Sequence, residues 1–73
     1  MDAKKVVLDI LGKRCDVSSL KETDNLSALG LDSLDLVEVL LEIETTLNVE
    51  FDVDEIGEAK TLKDIMTLIE KKL

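Results

Sequence analysis

The chain has 73 residues and a mass of 8.1 kDa; 45% of it is hydrophobic, 36% is charged, and its formal net charge is −8. A chain this short buries only about 60% of the surface its unfolded form exposes, which leaves little room for a walled active-site cleft. With no histidine anywhere and Cys15 as the single cysteine, it excludes an internal disulfide, a zinc site of the usual ligands and every histidine-based nucleophile or acid–base scheme.

In chain order, the first predicted helix runs from Ala3 to about Lys13 behind Asp2 as N-cap, with Ala3, Val7, Ile10 and Leu11 on one face and Gly12 weakening its end. From Cys15 to Leu31 neither helical nor strand periodicity is sustained, so this stretch reads as a long ordered loop pinned by Leu20, Leu26 and Leu29. The second helix, Ser33 to about Leu47, has the strongest signals: Gly30 permits a sharp turn, Asp32 suits the N-cap and Asp35 falls at N3. A short helix is predicted around Asp54 to Glu58. The last helix opens at Thr61, whose T-x-x-D partner is Asp64, and continues with a stripe of Leu62, Ile65, Met66 and Ile69. The expected fold is all-α: a small four-helix bundle, three main helices plus one short helix with a long first loop, forming a single domain over 1–73.

Charge is unevenly placed. All nine basic residues lie between Lys4 and Lys21 or between Lys60 and Lys72, while the stretch from Glu22 to Ala59 holds twelve acids and no base. Such a surface repels nucleic acid and anionic membranes and draws in partners with basic patches. A merely solvated face is the alternative. No apolar run approaches the roughly 18 residues of a membrane span, and the N-terminal segment lacks a signal-peptide core. A cytoplasmic, monomeric protein is the expectation.

On the second helix, Leu36, Val39, Leu40, Ile43 and Leu47 share an arc about 100° wide, enough to face a core. Leu34, Val37 and Leu41, spaced i, i+3, i+7, form a second, narrower line flanked by Glu38 and Glu44. That line is either a docking strip with charge steering at its edges or a face covered by the terminal helices and the loop. Ser33 opens the same helix. As a nucleophile it has no histidine to serve as base, and Leu31 and Asp35 stand where a G-x-S-x-G elbow needs glycines. It is either a plain cap or a residue acted upon, and the positive end of a helix favours a phosphate attached there.

The run Leu29-Gly30-Leu31-Asp32-Ser33-Leu34-Asp35, followed by Val37-Glu38, resembles the 4′-phosphopantetheine attachment signature of acyl carrier proteins, and the element order and length agree throughout. The resemblance implies that a phosphopantetheinyl transferase, using Mg²⁺, moves the arm from coenzyme A onto Ser33. It further implies that the arm carries acyl groups as thioesters to acyl-transferring and synthase enzymes of fatty-acid or related (polyketide, lipid) biosynthesis, and that the chain itself is not an enzyme. By the same resemblance Asp32 helps to position the serine, Asp35, Glu38 and Glu44 meet arginines and lysines of partners, and Leu34, Val37 and Leu41 fill their apolar pockets. Shelter for the acyl chain is expected from Leu41, Phe51, Ile56, Ala59, Leu62 and Ile65. Ser27-Ala28 and Thr45 stand where many fatty-acid carriers have acids, so partner choice is expected to differ at this rim. The rival is an unmodified acidic helical module whose strip binds one protein. No metal site is expected: Asp52–Gly57 resembles the opening of a calcium loop, but Ile56 and Lys63 stand where oxygen ligands are needed.

Overall fold

The computed structural model describes residues 2–73, and its helices are α1 (Ala3–Gly12), α2 (Ser33–Leu47), α3 (Val53–Glu58) and α4 (Leu62–Lys72). This is the small all-α bundle that the periodicity predicts, with α1 packed on α2 and α4. Each helix begins where a side chain satisfies orphaned N–H groups. Asp2 accepts from the N–H groups of Lys4 and Lys5 at the head of α1. Reciprocal capping boxes of Asp32 with Asp35, Asp52 with Glu55 and Thr61 with Asp64 open α2, α3 and α4.

The third helix starts at Val53, one residue before the Asp54 around which it is expected. Asp52 is its cap because Glu55, three residues on, can bond back to the Asp52 N–H. The long loop is not wholly irregular. Asn25 accepts from the Ser27 N–H at 3.0 Å and starts a 3-10 turn at Leu26–Leu29, too short to show a sequence period. Gly30 closes that turn with φ 88°, a left-handed conformation that glycine adopts without penalty. The loop is tied to the start of α4 through backbone bonds. Leu26 N–H donates to Lys60 O and Lys63 N–H to Glu22 O, both at 2.9 Å, and Asn25 and Thr61 form an isolated bridge.

The core is made by Val7, Ile10 and Leu11 of α1, Leu26 and Leu31 of the loop, Val39, Leu40 and Ile43 of α2, and Leu62, Ile65, Leu68 and Ile69 of α4, with Val49, Phe51 and Ala59 between helices. Leu36, Leu47 and Met66 pack against it only half-buried, and Leu68 takes the place that the predicted α4 stripe assigned to Met66. Leu20 and Leu29 likewise lean inward without full burial. Among the described residues, no buried one is polar or charged. The interior is therefore structural, and chemistry must lie at the surface.

Candidate functional site

Gly30 and Asp32 together deliver Ser33 to the first position of α2, where it is exposed. The Asp32 carboxylate accepts the Asp35 N–H at 2.9 Å, and the Asp35 carboxylate accepts the Asp32 N–H at 3.2 Å. Capping is thus complete without the serine. Its hydroxyl stands outside the box, as do the N–H groups of Ser33 and Leu34 near the positive end of the helix. A phosphoryl group on this oxygen would face solvent with unused donors close by, so the residues present fit such a group. No histidine is present to serve Ser33 as a base, and the carboxylates that frame it, Asp32 and Asp35, each give one oxygen to the cap. Cys15, free and half-buried, is disfavoured as an alternative nucleophile. Burial, reinforced by neighbouring Asp16, pushes its thiol up from the ordinary value, and the thiol donates to Leu11 O at 3.4 Å.

The second apolar line of α2 is open at its ends. Leu34 is 71% exposed and Leu41 49%, with Val37 half-buried between them, so neither the terminal helices nor the loop covers it. The acids beside it divide. Asp35 belongs to the cap and Glu38 is exposed, whereas Glu44 is half-buried and accepts the Phe51 N–H at 2.7 Å. Glu44 therefore holds the α2–α3 connection as well as standing beside the strip. One residue escaped the sequence reading. Arg14, counted there with the N-terminal bases, reaches across to α2 and binds Glu38 at 2.9 Å. No local pattern announces a contact made across the bundle.

Of the residues expected to shelter an acyl chain, Phe51, Ala59, Leu62 and Ile65 lie in the core, Ile56 is half-buried on α3, and Leu41 is on the surface. A cleft of about 180 Å³ between α3 and α4 is lined by Glu58, Ala59, Asp64, Thr67, Leu68 and Lys71, sharing only Ala59 with that set. The calcium-like run is helical from Val53, and Asp52 and Glu55 bond the helix start. No helix of the described residues is long and apolar enough to cross a membrane.

The sequence pattern of the phosphopantetheine attachment site family matches residues 4–69. Among curated relatives, an acyl carrier protein of Coprothermobacter proteolyticus is 40% identical over 52 residues, a match covering 71% of this chain and 63% of that protein. One of Porphyromonas gingivalis is 33% identical over 75 residues, covering 99% and 96%. A third match, 38% identical over 66 residues, covers 90% of this chain but 2% of the 3-methylorcinaldehyde synthase of Sarocladium schorii. The chain thus spans less than two thirds of the length of some relatives it matches. Among solved structures, an acyl carrier protein of Thermotoga maritima superimposes with a TM-score of 0.77 over 96% of this chain and 80% of the other, at 23% identity, which supports the fold.

Proposed function

Since the chain belongs to the phosphopantetheine-attachment family of acyl carrier proteins, whose members are carriers rather than catalysts and hold a covalent 4′-phosphopantetheine, we propose that Ser33 bears this group and that the α2 surface beside it presents the cargo to enzymes of fatty-acid, polyketide or related lipid synthesis. The observation that carries the proposal is the exposed Ser33 hydroxyl, left out of a cap that its neighbours complete. When bound, the group supplies a thiol that holds acyl chains as thioesters.

The chain's own contribution is position and charge. Asp32 and Asp35 fix the turn that presents the serine, and in a chain without histidine the phosphopantetheinyl transferase is the proposed acceptor of the hydroxyl proton. Leu34, Val37 and Leu41 offer a narrow apolar contact, and Asp35, Glu38 and Glu44 favour partners with basic patches. A carrier has to leave each enzyme it visits, and a small contact guided by charge suits that better than a large dry one. Leu41, Phe51, Ile56, Ala59, Leu62 and Ile65 are the proposed shelter for the cargo. α3 contributes no fully buried residue, so it is the wall that yields at least cost.

Incubation with coenzyme A, Mg²⁺ and a phosphopantetheinyl transferase, followed by intact mass, tests the assignment. The wild type gains the mass of one phosphopantetheine and Ser33→Ala gains nothing. A wild type that stays unmodified would point to the acidic interaction module instead.

A further inference from the structure

α1 ends in a tight turn: Arg14 N–H donates to Leu11 O at 3.0 Å and Cys15 N–H to the same carbonyl at 3.1 Å. The turn sends the Arg14 side chain onto α2. Its Nη1 donates to Glu38 Oε2 at 2.9 Å and lies 3.9 Å from Asp35 Oδ1, and its Nη2 lies 3.8 Å from Glu42 Oε1. Asp35, Glu38 and Glu42 have the spacing i, i+3, i+7, each one residue behind a member of the apolar line Leu34, Val37 and Leu41. Carboxylates and apolar strip therefore run side by side along the helix. Arg14 is the more covered partner, its side chain 26% exposed against 60% for Glu38, so the guanidinium lies down on the helix while the acid stays open.

We infer that Arg14 is an internal competitor for the docking strip: it occupies in cis the place that an arginine or lysine of a docking enzyme would take, and a basic partner binds by displacing it. This rests on the reading of α2 as the surface that partner enzymes meet. The occupant's chemistry is visible in the contact itself, because a guanidinium is what these carboxylates already hold, hydrogen-bonded to Glu38 and in looser ion pairs with Asp35 and Glu42. A partner arginine gains the same hydrogen bond that Arg14 loses, so the exchange adds little net affinity. Partners that offer several cations, or an arginine in place of a lysine, win the strip most readily. Arg14 thus sets specificity and keeps docking reversible without touching the reacting atoms.

The test is steady-state loading by a phosphopantetheinyl transferase at saturating coenzyme A, with the carrier concentration varied. R14Q and K5Q each remove one positive charge from a chain of net charge −8, and Lys5 sits on α1 at the end remote from Arg14. Losing the competitor should lower KM in R14Q about two- to five-fold at low salt, the range expected of an exposed pair, with kcat unchanged. K5Q should shift KM less, R14K should fall between wild type and R14Q, and the difference should fade near about 0.5 M salt. In an E38Q background R14Q should gain less than in wild type. An R14Q KM equal to that of K5Q overturns the inference, as does a raised KM, which would make Arg14 a direct contact. If R14Q fails to fold, an R14K KM no lower than wild type has the same force. A wild type that takes up no phosphopantetheine sinks the reading of Ser33 instead, so the two failures are distinguishable.

Discussion

At the head of α2 the Asp32 carboxylate carries the first-turn hydrogen bond, so the turn that displays Ser33 is held by its neighbour. Replacing Asp32 by Ala should cost about 1 kcal/mol of stability, the usual effect of losing a cap. Ser33→Ala should stay within about 0.5 kcal/mol, as for surface positions generally. Urea unfolding of both variants measures the difference, and a Ser33→Ala loss as large as that of Asp32→Ala would mean that the hydroxyl helps to cap. Asp32 as the cap was readable in the sequence because capping acts over three residues and Asp35 has the required spacing, whereas the sequence left Ser33 open between a plain cap and a residue acted upon. Arg14 was not readable, since its partner Glu38 is 24 positions away and only the packing of α1 on α2 brings them together.

Among the elements, α3 has the least to hold it. Its six residues include none that is fully buried, and its start depends on the Asp52–Glu55 box together with a 3.0 Å ion pair from Lys72 of α4 to Glu55. Lys72 Nζ also lies 6.0 Å from the centre of the Phe51 ring. The Asp52 N–H, and then Lys72, hold the Glu55 carboxyl below its ordinary value of 4.5. The folded chain therefore takes up this proton less readily than the unfolded one. The stabilisation it brings is whole above about pH 4.5 and disappears as acid reaches the lowered value. Melting curves of wild type and Glu55→Gln should differ at pH 6 to 7 and converge as the pH falls below 4.5 and through the lowered value. A gap that stays constant would show that the charge is idle. The start of this helix lies one residue earlier than the expected region because the Asp52–Glu55 box, not the apolar pattern, sets it. The 3-10 turn at Leu26–Leu29 was missed for a different reason: four residues cannot display a period.

For the whole molecule, an interior of apolar side chains under a surface of net charge −8 means that cohesion comes from burial and selectivity from charge. The helical stripes foretold most of the core. Half-burial of Leu36 and Met66 depends on how the helices cross, which periodicity on a single helix does not reveal. Comparison of amide and methyl NMR spectra of the holo and acyl-loaded forms should show shifts concentrated at Phe51, Ile56, Ala59, Leu62 and Ile65, and an unshifted set would remove the proposed shelter. The backbone bonds from Leu26 to Lys60 and from Lys63 to Glu22 bear on where such a guest could enter. They sew the long connection to the root of α4, so that flank of the bundle can breathe only by tearing its stitches. Any room made for a hydrophobic passenger has to open on the other flank, and its depth is then limited by how far six residues can back away while both their neighbours stay anchored.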